Sequence, residues 1–215
     1  MADKKYLIET TKRMRVNGTG PKRHQLKFFQ KLGQAPQEVL DELNQMLDEN
    51  PNNDIGGDVY GISQAINHQE VFNTSGYRQI LVQTKPPGNM GVDVDEYLYD
   101  YWTKEVKAKK FLDQYFDNTY RFRMSEMGGA YEMNWHIDSC TSFMCRAQIC
   151  LNENDSVFEF KGRGGAIHSF TMKPGELWFI NTGWLHRVIS GKVPRRVAIF
   201  GFHFDDLKNK DEVYV

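Results

Sequence analysis

The chain has 215 residues, 40% hydrophobic and 26% charged, near the globular average; this excludes wholesale disorder and a fibrous architecture and fits one folding unit with a real core. A net charge of −1 gives the surface as a whole no pull on nucleic acid. No apolar run reaches bilayer length, and the opening Met1-Ala2-Asp3-Lys4-Lys5 lacks the apolar core of a signal peptide, so a cytoplasmic protein without membrane contact is expected.

In chain order, the first thirty residues carry a local basic excess, Lys4, Lys5, Lys12, Arg13, Arg15, Lys22, Arg23 and Lys27. A solvated arm or a lysine-guarded strand edge is the plain explanation, with an RNA or acidic-partner contact as the alternative. Residues 36–48 place Val39, Leu40, Leu43 and Leu47 at helical spacing behind Pro36, which predicts an amphipathic helix. Asn50-Pro51-Asn52-Asn53 ends it, and the polar stretch to Asn73 reads as loop. Arg78–Thr84 is β-branched and strand-like, and Asp95–Phe116 suits a second helix with Tyr97, Tyr101, Val106, Phe111 and Tyr115 as its stripe.

From Thr119 the pattern changes to short strands with turn punctuation: Tyr120–Met127, Tyr131–His136, Phe143–Leu151, Val157–Phe160, Ala166–Met172, Leu177–Asn181, Leu185–Ile189 and Arg196–Phe204. That rhythm predicts a mainly β fold with flanking helices, a double-stranded β-helix (jelly roll, cupin-like). The expected organisation is a helical and loop region over 1–118 packed on the core and lending it one strand, the β-helix over 119–205, and a tail over 206–215. Cys140, Cys145 and Cys150 match neither a disulfide framework nor a paired zinc spacing, and read as reduced thiols in or near strands.

In an extended strand His136 and Asp138 project to one face, offering an imidazole and a carboxylate together. His186, beginning a later strand, is placed to add a third donor. Two histidines and one carboxylate leave three positions open, the arrangement of non-haem ferrous oxygenases. His-x-Asp alone is a weak motif, and His168 and His203 compete for the third place. Arg196, ten residues after His186, would share a face with Ala198 and Phe200 and pair with the carboxylate of a dicarboxylic co-substrate, leaving Arg195 to solvent. The competing explanation is that both arginines are surface charges opening an edge strand. Tyr131, Trp135 and Trp184 flank the ligands as candidate substrate walls, and 52–61 and 86–94 are candidate lid segments.

The stretch from Ser125 to Phe204 resembles the aspartyl/asparaginyl β-hydroxylase and related proline-hydroxylase branch of the Fe(II)- and 2-oxoglutarate-dependent dioxygenases. The matching phrases are Gly128-Gly129 before His136, the strand Arg146–Leu151, the run Pro174–Asn181, His186 and Arg196–Phe200. The resemblance implies His136, Asp138 and His186 as iron ligands and Arg196 as partner of the distal 2-oxoglutarate carboxylate. It implies Ser125 as an assisting hydroxyl and Arg146 as a second arginine near the co-substrate, while Gln148 stands where some members carry histidine. Fe(II), 2-oxoglutarate and O2 follow as cofactor and co-substrates, with ascorbate as a reductant and an amino-acid side chain, free or in a peptide, as substrate. Two other classes remain: a non-oxidative cupin-like metal-binding protein or isomerase, and a nucleic-acid binder using its basic N-terminus with the roll as scaffold.

Overall fold

Residues 20–49, 78–84, 100–129, 132–138 and 144–215 are described in the computed structural model of the chain. Strand β1 (Phe29–Gln34) leads through Ala35-Pro36 into helix α1 (Gln37–Glu49), whose buried face is Val39, Leu40, Leu43, Met46 and Leu47, at the predicted spacing. Strands β2 (Arg78–Leu81) and β3 (Gln83–Thr84) occupy the predicted strand, broken at Val82. The Val82 carbonyl turns aside to accept from the amide and hydroxyl of Thr103, at 2.9 and 3.0 Å.

The predicted second helix is much shorter. Tyr101–Trp102 form strand β4 paired with β3, and only Lys107–Leu112 are helical, as α2; residues 95–99 lie outside the described part. Trp102 packs on Phe122 with ring centroids 5.2 Å apart, so sheet pairing and aromatic burial override a helical periodicity that was real in the letters. Then follow β5 (Tyr120–Met127), β6 (Glu132–His136), β7 (Cys145–Cys150), β8 (Val157–Lys161), β9 (Ile167–Phe170), β10 (Glu176–Ile180), β11 (His186–Ile189) and β12 (Arg195–Phe202). Every predicted strand after residue 119 is present.

Among the described residues, beside the two-stranded β3-β4 pair, the two large antiparallel sheets are ordered β1-β10-β7-β12-β5-β2 and β6-β11-β8-β9, the jelly roll expected. Strand β1 was not foreseen. Among the described residues it is an edge strand, paired with β10 alone and bulged between Lys31 and Gly33, and such strands carry the lysines and glycines that hide them in a sequence. Gly175, at φ +79°, makes the turn into β10; a Cβ there would stand 2.9 Å from the Ala35 carbonyl.

Two cores divide the large sheet by face. Phe122, Met124, Ala147, Ile149, Leu177, Phe179, Ala198, Phe200 and Phe202 pack outward against α1 and α2. Between the sheets lie Met127, Cys150, Phe158, Phe160, Ile180 and Val188. Alternation therefore puts Arg146 and Gln148 on the inner face with Cys150, and Arg123 and Ser125 with Met127. Cys145 and Cys150 are free thiols on opposite faces of β7, as expected of reduced cysteines, and Cys140 lies outside the described residues. Among the described residues no helix is long and apolar enough to cross a membrane.

Candidate metal centre

The end of β6 and the start of β11 lie side by side, with His136 paired directly across from His186. Their rings stand 4.4 Å apart, and the chain just beyond β6 brings in Asp138, whose amide donates to the Thr182 carbonyl at 3.2 Å. The donor atoms of His136, Asp138 and His186 all lie within 4.8 Å of one another. His136 Nε2 is 3.1 Å from Asp138 Oδ1, and His186 Nε2 is 3.9 Å from Asp138 Oδ2. Adjacent ligands of an octahedral ion with bonds of about 2.1 Å stand about 3.0 Å apart, so a small inward adjustment of His186 completes the set.

The outer nitrogens are already committed. His136 Nδ1 meets the Asn134 carbonyl at 2.6 Å, and His186 Nδ1 meets the Trp184 carbonyl at 2.9 Å. A carbonyl only accepts, so each Nδ1 carries a proton and Nε2, on the side of Asp138, is the atom left for a metal, which at His136 takes the place of the proton shared with the carboxylate. Two imidazoles and one carboxylate on one side leave the other side open, which suits an Fe(II) centre that takes exogenous ligands.

The charges agree. Burial alone would lower the His136 pKa, but the hydrogen bond and charge of Asp138, with the Asn134 carbonyl, raise it above its usual value. His186, more deeply buried, has its pKa lowered, by burial first, against the opposing pull of Asp138. Burial acts to raise the Asp138 carboxyl, yet its bond to His136 and the charges of Arg146 and the two histidines hold it far below the carboxylate range. Asp138 is thus held in its anionic form beside the two imidazoles.

The predicted neighbours sort by face. Ser125, Arg146 and Gln148 project from the inner face of the large sheet, on the side of the metal ligands. Arg196 does not, and the expectation for the two arginines is reversed. Arg196 shares the outer face with Ala198 and Phe200, which there pack toward α1 and α2. Its Nε donates to Glu126 Oε2 at 2.5 Å, its Nη2 pairs with Asp48 Oδ1 at 2.8 Å, and its Nη1 reaches Asn44 Oδ1 at 3.3 Å. The carboxylates that a half-buried arginine demands are thus the protein's own. Arg195, expected in solvent, is 7% exposed on the inner face; it donates to Gln148 Oε1 and lies over the Phe158 ring at 4.9 Å.

Sequence reasoning missed Arg195 because both faces of β12 are apolar after it, so hydrophobicity could not say which is inner. It also missed Arg123, although Arg121-Phe122-Arg123-Met124-Ser125 alternates polar and apolar within a buried strand. The rival ligands are elsewhere: exposed His168 stacks on Phe28 at 4.5 Å, two strands from β11, and His203 packs on Tyr120. Trp135 sits under Arg187 at 4.8 Å, which Glu132 and Glu159 hold, rather than walling a substrate. Trp184 donates to the Arg23 carbonyl at 3.0 Å and stacks beneath that guanidinium, so Arg23 of the basic segment straps the site's edge. Tyr131 and the proposed lid segments lie outside the described residues.

No family model and no curated protein matches the chain. Solved structures do. A prolyl hydroxylase from Trichoplax adhaerens, in complex with a hypoxia inducible factor oxygen degradation domain peptide fragment, is 12% identical with a TM-score of 0.50, covering 92% of this chain and 94% of that one. A Pseudomonas putida prolyl-4-hydroxylase is 14% identical with a TM-score of 0.46, over 81% of this chain and 90% of that one. A Burkholderia pseudomallei oxidoreductase of the 2OG-Fe(II) oxygenase family is 13% identical with a TM-score of 0.40, over 83% and 96%. At such identities the likeness is one of fold.

Proposed function

We propose that this chain is an Fe(II)- and 2-oxoglutarate-dependent dioxygenase that hydroxylates an amino-acid side chain, free or in a peptide. The observation that carries this reading is the facial set His136, Asp138 and His186 opening into the same inter-sheet space as the buried Arg195. The Trichoplax adhaerens structure of like fold is a prolyl hydroxylase in complex with a peptide, which is consistent with it. Iron bound at the triad, with 2-oxoglutarate and O2, supplies the power to replace C–H by C–OH, releasing succinate and CO2.

The chain's own residues do the rest. The Asn134 and Trp184 carbonyls hold both imidazoles in the ligating tautomer. The Arg195 guanidinium takes the distal carboxylate of 2-oxoglutarate, with the Gln148 amide fixing the guanidinium from the side and the Phe158 ring backing it. Phe158, Phe160, Ile180 and Val188 pack between the sheets and keep water from that side of the guanidinium, which strengthens the ion pair. Ser125, two residues from Arg123 and buried, offers a hydroxyl on the same face.

Succinate formation by the full chain with Fe(II), 2-oxoglutarate and ascorbate tests the proposal. His186→Ala is expected to abolish both metal retention and succinate release. Metal binding with no succinate from any amino-acid or peptide substrate would leave the non-oxidative cupin-like reading in its place.

A further inference from the structure

We propose that residues 22–28 are a strap that positions the metal ligands, with Arg23 and Trp184 as its positioning residues. Held from outside by this strap, the turn between β10 and β11 presents two carbonyls that orient Asp138 and His186. The inference rests on the triad being the metal centre of the dioxygenase reading, and it gives the end of the basic segment a role there.

Both of these ligands take their bearings from residues 181–184. The Thr182 carbonyl accepts from the Asp138 amide at 3.2 Å, and the Trp184 carbonyl meets His186 Nδ1 at 2.9 Å. The turn's own backbone bonds, from the Thr182 amide to the Ile180 carbonyl at 2.9 Å and from the Trp184 amide to the Asn181 carbonyl at 3.1 Å, close it without fixing its direction. That direction is set by a segment far away along the chain.

Asn181, fully buried, donates its backbone amide to the Phe28 carbonyl at 2.9 Å. Its Nδ2 donates to the carbonyls of Arg23 and Lys27, at 2.9 and 3.1 Å. Two carbonyls around one side-chain atom require that atom to be the nitrogen, so the amide's orientation is determined. Arg23 Nη1 donates to the Gly183 carbonyl at 3.0 Å, and the guanidinium lies 4.9 Å over the Trp184 ring. Trp184 Nε1 donates back to the Arg23 carbonyl at 3.0 Å. Trp184 is thus gripped by its side chain while its carbonyl faces His186. Phe28 adds an apolar route: its ring lies 5.2 Å from Trp184 and 5.7 Å from Phe160, and Phe160 stacks 5.7 Å from the His186 ring.

The strap has anchors of its own. Leu26 is 2% exposed and bridges to Tyr214, the Lys27 amide donates to the Val213 carbonyl at 2.9 Å, and the Val215 amide donates to the Gln25 carbonyl at 3.1 Å. A segment tied down on its far side holds the turn rather than being carried by it. Groups that orient metal ligands from one layer out change metal affinity about 10–100-fold when removed, and Arg23 acts one step beyond that layer, through Trp184. Arg23 is itself exposed, so its side chain can be cut back without opening a cavity in the core.

The test titrates Mn(II) into the full chain by calorimetry and records the electron paramagnetic resonance spectrum of the bound ion. Arg23→Ala is expected to weaken Mn(II) binding about threefold to tenfold, and Trp184→Phe, which keeps a ring but loses the donor, about tenfold. Both are expected to change the zero-field splitting of the bound Mn(II), while the melting temperature of Arg23→Ala stays within about 2 °C of wild type. Arg23→Lys, which restores a donor for Gly183 and a cation over the ring, is expected to recover most of the affinity. Wild-type affinity and spectrum in Arg23→Ala or Trp184→Phe overturns the proposal, as does a fall in melting temperature with metal binding unchanged. A wild-type chain whose Mn(II) binding depends on the strap but which takes no 2-oxoglutarate and forms no succinate would remove the dioxygenase reading and leave the strap standing. Succinate formation with Mn(II) affinity indifferent to both substitutions would do the reverse, and a wild-type chain that binds no Mn(II) would end both.

Discussion

Adjacent arginines on β12 point to opposite sides of one sheet, so glutamine at each should produce opposite phenotypes. Arg196→Gln removes the pair with Glu126, whose side chain is 18% exposed, and the pair with Asp48, which is 62% exposed. The first is worth about 1–2 kcal/mol and the second under about 1 kcal/mol, since solvent screens it. A loss of about 2 kcal/mol lowers the melting temperature of a chain this size by about 4–8 °C. Co-substrate affinity is expected to be untouched. Arg195→Gln removes the cation that faces the cavity, at a cost to 2-oxoglutarate binding of about 2–5 kcal/mol, or about 30-fold to several-thousand-fold in Kd. Calorimetric titration of the Mn(II)-loaded full chain with 2-oxoglutarate, alongside thermal unfolding of both variants, reads the two effects separately. Tenfold weaker binding in Arg196→Gln with wild-type binding in Arg195→Gln would falsify the assignment of faces.

Metal affinity should fall with acidity, because ligation requires neutral His136 and the metal-free protein favours its protonated form. Below that raised pKa, Mn(II) affinity is expected to drop about tenfold per pH unit with release of one proton per ion, checked by calorimetry in buffers of different ionisation enthalpy. In the metal-free protein the sign for stability differs by group. The raised His136 pKa gives a contribution present at low pH and lost as pH rises through it, whereas the lowered Asp138 pKa gives one present above the carboxylate range and lost on acidification. Their shared ion pair therefore stabilises only between the two titrations; a flat difference in melting temperature between wild type and Asp138→Asn from pH 3 to 8 would contradict this. Leu47→Ala, at a fully buried position of α1, is expected to cost about 2–5 kcal/mol in urea unfolding without changing metal affinity. Gly201→Ala would push Met144 and Arg146 aside, and is expected to cost about 1–3 kcal/mol in urea unfolding.

Local patterns carried some elements to the page correctly. Helix α1 follows from apolar residues at one spacing behind Pro36, and strands β5 to β12 from short β-rich runs between turn residues. Each needs only the chain's own periodicity. The failures have a common cause. Edge strand β1 and the short pairing of β3 with β4 exist because another strand is alongside, and residues 101–106 belong to a helical stripe that tertiary contacts with Phe122 and Val82 override.

The site divides in the same way. His136 and Asp138 were visible as a pair because two residues apart on a strand means one face, a rule of backbone geometry alone. His186 joined them through turn spacing, and the structure puts it directly across from His136. Which of Arg195 and Arg196 faces the cavity was not decidable locally: both sides of β12 are buried, one against α1 and α2 and one against the second sheet, so no polar face marks the outside. The amino-acid order by itself determined the strands, the donor types and their face-sharing pairs, since those depend on residues a few positions apart. Only tertiary structure decided the parity of β12 and the partners of Arg196, because these depend on what stands opposite, and that is contributed by residues far away along the chain.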